Sequence, residues 1–281
     1  MERFASGWKR NYYGKADVTA YRLRRDGHVP EGGRAVFGAN VTILLYGDAF
    51  WPTYTTGDNT DLVATDSMKN FIQRQTLDFA GDDLEQYCLF LAESFLARYR
   101  QVEGLQVSAA EVPYDARGTW TFAPAGPERA TARVELTRDG VVEATSGIRG
   151  FRLLRLGGSA FTGFVRDEYT TLPEITNRPL HMWLDLEWQY TQPGEALSGG
   201  AATGAVARLT HDVFDAFESG SIQQIIYTLG TRMLDEIPAI AQVHLEANNR
   251  TWDTVTERGD AMGVYTDARP PYGCLGLSLR R

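Results

Sequence analysis

The sequence predicts an α+β protein built as two ββααββ units, residues 1–140 and 141–281. Three observations predict it. Apolar residues alternate with period two in several short runs, helix pairs show apolar stripes at 3.6-residue spacing, and the same order of elements returns in the second half. Strands grouped around helix pairs indicate antiparallel sheet rather than the alternating βαβ units of a parallel one.

Arg22 to Tyr46 reads as two strands about a turn marked by Arg25-Asp26-Gly27 and Gly32-Gly33. In the second strand Phe37, Ala39, Val41, Ile43 and Leu45 share one face. A helix is expected from Asp66, a good N-cap, burying Met68, Phe71, Ile72 and Phe79. A second helix follows Gly81-Asp82, with Leu84, Tyr87, Cys88, Leu91, Ala92, Phe95, Leu96 and Tyr99 on its stripe and Gly104 closing it. Two strands come next, the clearer with Ala132, Val134 and Leu136 inward and Arg133, Glu135 and Thr137 outward.

The second unit opens with strands at Ile148–Leu156 and Met182–Tyr190. In the latter Met182, Leu184, Leu186 and Trp188 alternate with Trp183, Asp185, Glu187 and Gln189. Ser198 to Gly204 reads as a flexible loop. One helix then carries Val206, Leu209, Val213, Phe214 and Phe217. Another, capped by Ser221, carries Ile222, Ile225, Ile226, Leu229 and Met233. Strands at Ala241–Ala247 and Cys274–Leu279 close the unit.

Composition narrows the function classes. With 28 Lys+Arg against 36 Asp+Glu the net charge is −8, which argues against a nucleic-acid binder dependent on a basic stripe. One local arginine still suffices for a small anionic substrate. Cys88 and Cys274 are far apart, so neither a disulfide framework nor a cysteine-rich zinc site is expected, and a reducing cytoplasm is the expected compartment. No window approaches a membrane span, and the N-terminus lacks the apolar core of a signal peptide. Lys9, Lys15 and Lys69 are the only lysines, which makes each worth inspection.

Motif searches return little. No glycine-rich dinucleotide or phosphate loop and no GxSxG elbow is present. His28, His181, His211 and His244 stand at no metal-ligand spacing, so no metal site is expected. His244, between Gln242 and Glu246, reads as a solvated or interface histidine, and Cys88 as inert core.

Four segments carry a resemblance. Val63-Ala64-Thr65-Asp66-Ser67-Met68-Lys69-Asn70 and Gly163-Phe164-Val165-Arg166-Asp167-Glu168-Tyr169-Thr170-Thr171-Leu172 resemble signature segments of the urate oxidase (uricase) family. Tyr13-Gly14-Lys15 is similar to that family's strand-opening YGK, and Ser221-Ile222-Gln223 to its SVQ helix start. The four stand in the family's order along most of the chain. The resemblance implies two tandem T-fold (tunnelling-fold) units, whose sheets close into a barrel across subunits in a homotetramer. It also implies oxidation of urate by O2 and water to 5-hydroxyisourate and hydrogen peroxide, without metal or organic cofactor.

Residue roles follow from the resemblance alone. Lys15 and Thr65 match the catalytic pair; a threonine hydroxyl is a poor base and needs a neighbour to relay its proton. Asp66 and Ile222 would offer backbone N–H groups to the purine. Phe161 would stack on its face, while Arg178 and Gln223 would grip its two edges. The site would lie at a subunit interface. Lys15, Thr65 and Asp66 would come from one chain, and Phe161, Arg178, Gln223 and Asn249 from its neighbour. Many relatives carry Asn-Lys-His where this chain reads Asn249-Arg250-Thr251, so Thr251 stands at the third relay position, with His244 as its rival and Asn248 as the rival of Asn249. Two other readings remain open: a purine-binding T-fold scaffold without turnover, and another T-fold enzyme acting on a purine or pterin.

Overall fold

The computed structural model of the chain describes residues 4, 7, 9–25, 29, 33–197, 201–259 and 262–281. His28, most of the turn from Asp26 to Gly32, and Ser198–Gly200 lie outside the described residues. Two compact units form, one of residues 1–147 with 189–203 and one of residues 148–188 with 204–281.

Unit one starts with β1 (Tyr13–Leu23) and β2 (Val36–Tyr46), followed by a short 3-10 turn and α1 (Trp51–Thr55). The helices α2 (Thr65–Asp78) and α3 (Leu84–Arg98) come next, then β3 (Gly104–Glu111), a small hairpin of β4 (Tyr114–Ala116) and β5 (Phe122–Pro124), and β6 (Arg129–Thr137). The strand β7 (Gly140–Arg155) leads into unit two, where β8 (Leu180–Tyr190) follows. After α4 (Pro193–Ala196) come α5 (Ala201–Ala216), α6 (Ile222–Glu236), β9 (Ile240–Arg250), a hairpin of β10 (Thr254–Arg258) and β11 (Met262–Tyr265), and β12 (Gly273–Arg280). The order ββααββ thus occurs twice, each time with a small hairpin between its third and fourth strands. In unit one the hydrogen-bonded neighbours run β1-β2-β3-β6-β7, and in unit two β7-β8-β9-β12. Every pair with an assigned register is antiparallel.

Burial follows the alternation. Ala39, Val41, Ile43 and Leu45 of β2 are fully buried, and Val107, Val134, Leu105 and Leu136 extend the same layer beneath α2 and α3. In unit two Met182, Leu184, Leu186 and Trp188 are all buried. Asp83 caps α3 by accepting from Gln86 N at 2.8 Å, and Ser221 caps α6 by accepting from Gln224 N at 3.1 Å.

Several expectations are corrected. The first strand opens at Tyr13, well before Arg22, because its exposed face is polar and hides the alternation. The N-cap of α2 is Ala64, and Asp66 sits inside the first turn. Ala201–Gly204 are helical rather than loop. The helix α3 ends at Arg98, and Gly104 opens β3, where a Cβ would strike the Tyr46 ring at 2.4 Å from its hydroxyl. Glu135 is fully buried instead of outward: Tyr46 Oη donates to it at 3.0 Å and Lys9 Nζ lies 3.3 Å away.

Candidate active site

In unit one, α2 packs against β1 and brings two sequence-picked segments together. Lys15, half-buried, stands opposite Ile43, whose side chain belongs to the core. Directly paired residues share a sheet face, so Lys15 is on the helix-covered side of β1. Tyr13 is on the same side, and its hydroxyl accepts from Val63 N at 2.9 Å, which anchors the segment feeding α2. Burial pushes the Tyr13 phenol up to about 12, so it stays a neutral anchor.

Thr65 and Asp66 are exposed in the first turn of α2. The first helical bond runs from Met68 N to Ala64 O, which leaves the earlier N–H groups without a partner within the helix. That end of a helix favours an anion. Lys69 Nζ and Asn70 Nδ2 donate to the Asp66 carboxylate at 2.6 and 2.9 Å. The Lys69 contact first, with a smaller contribution from the charge of Lys15, holds that carboxyl below its ordinary range.

In unit two, Phe161 and Arg178 lie in the long connection between β7 and β8. Backbone bonds fix it. Phe161 and Ile175 exchange N–H···O bonds of 2.7 and 3.1 Å, and Arg178 N donates to Ser159 O at 2.9 Å. Ala160 N donates to Ser219 O at 2.7 Å, which ties the connection to the residues just before α6. Phe164 lies parallel to Phe161 with centroids 4.9 Å apart, and the Arg178 guanidinium is 6.0 Å from the Phe161 ring. Burial lowers the pKa of Arg178, and its Nε is buried without a partner among the described residues. A cavity of about 410 Å³ opens beside this backbone, lined in part by Ala160, Asn177 and Ser219.

Ile222 and Gln223 form the first turn of α6. Ile222 is buried and Gln223 exposed. On β9 the pleat separates the rivals. Val243 and Leu245 point to α6, where a Cβ at Gly230 would meet both, so Asn249 is on the α6 side by alternation. Asn248 and His244 are on the other side. His244 there engages Ser278 Oγ at 2.7 Å and Glu246 at 3.4 Å. Thr251 follows the strand, exposed, its carbonyl accepting from Arg269 N at 3.4 Å.

The sequence assigned no role to Tyr13, Phe164 or Lys69, although all three belong to the quoted segments. Among the described residues no three His, Cys, Asp or Glu side chains cluster as metal ligands. No helix among them is long and apolar enough to cross a membrane. Burial pushes the Cys88 thiol well up, whereas Cys274 is exposed.

Comparison with known proteins gives the context. A family model described as Uricase matches residues 11–136 and 144–275. The uric acid degradation bifunctional protein of Bacillus sp. (strain TB-90) is 36% identical over 93% of this chain, which spans only 58% of that relative's length. A uricase of Haloferax volcanii is 37% identical, covering 96% of this chain and 97% of its own. Among solved structures, urate oxidase from Bacillus sp. TB-90 superposes with a TM-score of 0.87 at 35% identity, over 96% of this chain and all of that one.

Proposed function

The chain belongs to the uricase family, and from that premise we propose that it oxidises urate in purine degradation: urate, O2 and water give 5-hydroxyisourate and hydrogen peroxide. Lys15 accepts the Thr65 proton while the Thr65 hydroxyl takes one from urate, a pairing that makes a weak base usable. The dianion gives two electrons to O2, water adds to the oxidised purine, and peroxide leaves. No metal or cofactor enters the scheme. The Arg178 fork meets adjacent acceptors on one purine edge, and Gln223 closes the opposite edge with one donor and one acceptor. Phe161 takes the ring on the face that Phe164 leaves open. The N–H groups of Asp66 and Ile222 hold the periphery, Asn249 faces the oxygen side, and Thr251 passes a proton towards solvent.

The observation that carries the reading is Lys15 on the helix-covered face of β1, the strand that packs against α2, whose first turn carries Thr65. The pleat of β9 supports Asn249 over Asn248, and Thr251 over His244.

The same reading makes the repeats T-fold units within a homotetramer, with barrels closed across subunits and sites at the interfaces. Support comes from β1 and β12, each with one hydrogen-bonded neighbour among the described strands and so one open edge. Free cysteines in the described chain fit the proposed cytoplasmic setting.

The test is loss of urate ultraviolet absorbance with stoichiometric peroxide in metal-free buffer. Turnover that vanishes with chelator and returns with a metal would overturn the cofactor-free scheme, and no turnover under any condition would overturn the assignment.

A further inference from the structure

We propose that Asp17 and Asn40 are positioning residues for Lys15, holding a bulge in β1 that turns the lysine onto the helix-covered face. The inference rests on reading Lys15 as the base, and deepens it.

The register carries the argument. Tyr13 pairs with Leu45 and Lys15 with Ile43, yet the next pair on that face is Val18 with Val41, followed by Ala20 with Ala39. Three steps along β1 therefore match two along β2. Leu45, Ile43, Val41 and Ala39 are all fully buried, so Tyr13, Lys15, Val18 and Ala20 all face the helices. A regular strand anchored by buried Val18 and Ala20 would instead place Ala16 and Gly14 on that face and Lys15 on the opposite one. A one-residue slip flips every side chain beyond it. The extra residue is thus what lets one strand keep its apolar anchor and still present Lys15 towards α2.

The bulge has its own fastening. Asp17 has φ 60, the left-handed region that costs most residues energy and that Asp and Asn tolerate best. Its Oδ1 accepts from Asn40 Nδ2 at 2.6 Å, and the same amide nitrogen donates to Thr19 Oγ1 at 3.0 Å. Asn40 stands opposite Thr19 in the regular part of the ladder, so one β2 side chain ties the irregular residue to the regular strand. Upstream, a Cβ at Gly14 would fall 1.9 Å from Ile43 O, so only glycine lets the strands approach there. Tyr13 then fixes the other end through Val63. Lys15 is held between two anchors. Bulges are enriched beside active sites, where they re-aim a side chain.

The experiment compares Asp17→Ala, Asp17→Asn and Asn40→Ala in the full-length protein. Asp17→Asn keeps both the left-handed tolerance and the acceptor oxygen, and is expected within about 2-fold of the parent in kcat. The other two are expected to lose about 10- to 10²-fold in kcat, the scale of an ångström-sized misplacement, with urate KM within about 2-fold. Rates are taken per folded molecule. Wild-type kcat in Asp17→Ala and Asn40→Ala, or losses confined to KM, would overturn the positioning role while leaving the urate reading intact.

An arm independent of activity covers the converse failure. With only three lysines, acylation of each amine can be followed by mass spectrometry. Lys15 is expected to label faster in Asp17→Ala than in the parent or Asp17→Asn, with Lys9 and Lys69 unchanged. If the parent never turns over urate, the functional reading fails and this arm alone decides the bulge. Equal Lys15 labelling in all proteins then rejects it.

Discussion

The two units solve different problems with their candidate residues. Unit one places Lys15 and Thr65 on regular elements, a strand and the first turn of a helix, and fixes them by a bulge and a tyrosine anchor. Unit two places Phe161 and Arg178 in a connection outside any strand, stapled by backbone bonds to Ile175, Ser159 and Ser219. A proton relay needs donor and acceptor held within hydrogen-bond reach, which regular elements supply. Recognition of a flat anion needs side chains projecting around its perimeter, which a loop on a rigid scaffold supplies. The difference teaches that mutations at Lys15 and Thr65 should act on rate, and those at Phe161 and Arg178 on binding.

The largest expected effect tests the first half of that contrast. Lys15→Ala should fold, bind urate, and lose about 10²–10⁴-fold in kcat, the usual scale of a general base. Stopped-flow turnover alongside equilibrium urate binding checks it. An equal loss in both would break the division of labour.

Arg178→Gln should do the reverse. A guanidinium bonded to an anion contributes about 1.5–3 kcal/mol, so urate affinity should fall roughly 10- to 100-fold. The thermal midpoint should barely move, since the buried Nε has no partner to lose among the described residues. Titration calorimetry with urate decides it, and unchanged affinity would put the binding arginine elsewhere.

Legibility in the sequence divided along the same line. Wherever a buried face alternates strictly, as at Phe37–Leu45 or Met182–Trp188, the strand could be read directly. β1 could not, because the bulge breaks its parity and Asp17, Thr19 and Tyr21 face outward. The slip falls between Lys15 and Val18. The hairpins β4–β5 and β10–β11 were missed because nearly all their residues are exposed and carry no apolar period. Glu135 misled because an alternation rule cannot know that Lys9, far off in sequence, partners a carboxylate beneath Tyr46. Site residues were legible only through family segments, since a loop arginine has no periodic signature.

The units also differ in what they bury. Among the described residues both deeply buried carboxyls, Glu85 and Glu135, belong to unit one, whereas the buried polar groups of unit two are hydroxyls. Burial first, then the Asp83 charge, pushes the Glu85 carboxyl up to about 7, although Ser146 Oγ donates to it. Its folded pKa lies above the ordinary 4.5, so its stabilising contribution is complete below pH 4.5 and is lost as pH rises through 7. The loss is on the order of 3 kcal/mol at most. Thermal midpoints should therefore decline across that window, and Glu85→Gln should flatten the decline. Amide exchange should locate it in α3 and its neighbours. A decline that survives Glu85→Gln would assign it to another group.

The smallest effects concern the relay's third member, and they test whether rate control stays with unit one. Thr251 is exposed and its hydroxyl changes no charge near neutral pH, so water can take its place after Thr251→Ala. A loss of about 10-fold or less in kcat is expected, below that of any general base. His244 stands on the face of β9 opposite Asn249, occupied with Ser278 and Glu246. His244→Ala should leave kcat, KM and the pH profile within about 2-fold, because an exposed imidazole on the wrong face of a pleat cannot reach a proton on the other. Measuring both variants at matched stability, against Lys15→Ala, closes the comparison. If His244→Ala proved the more crippled, rate control would extend into unit two, and the strand's opposite face would have to be the one that meets the substrate.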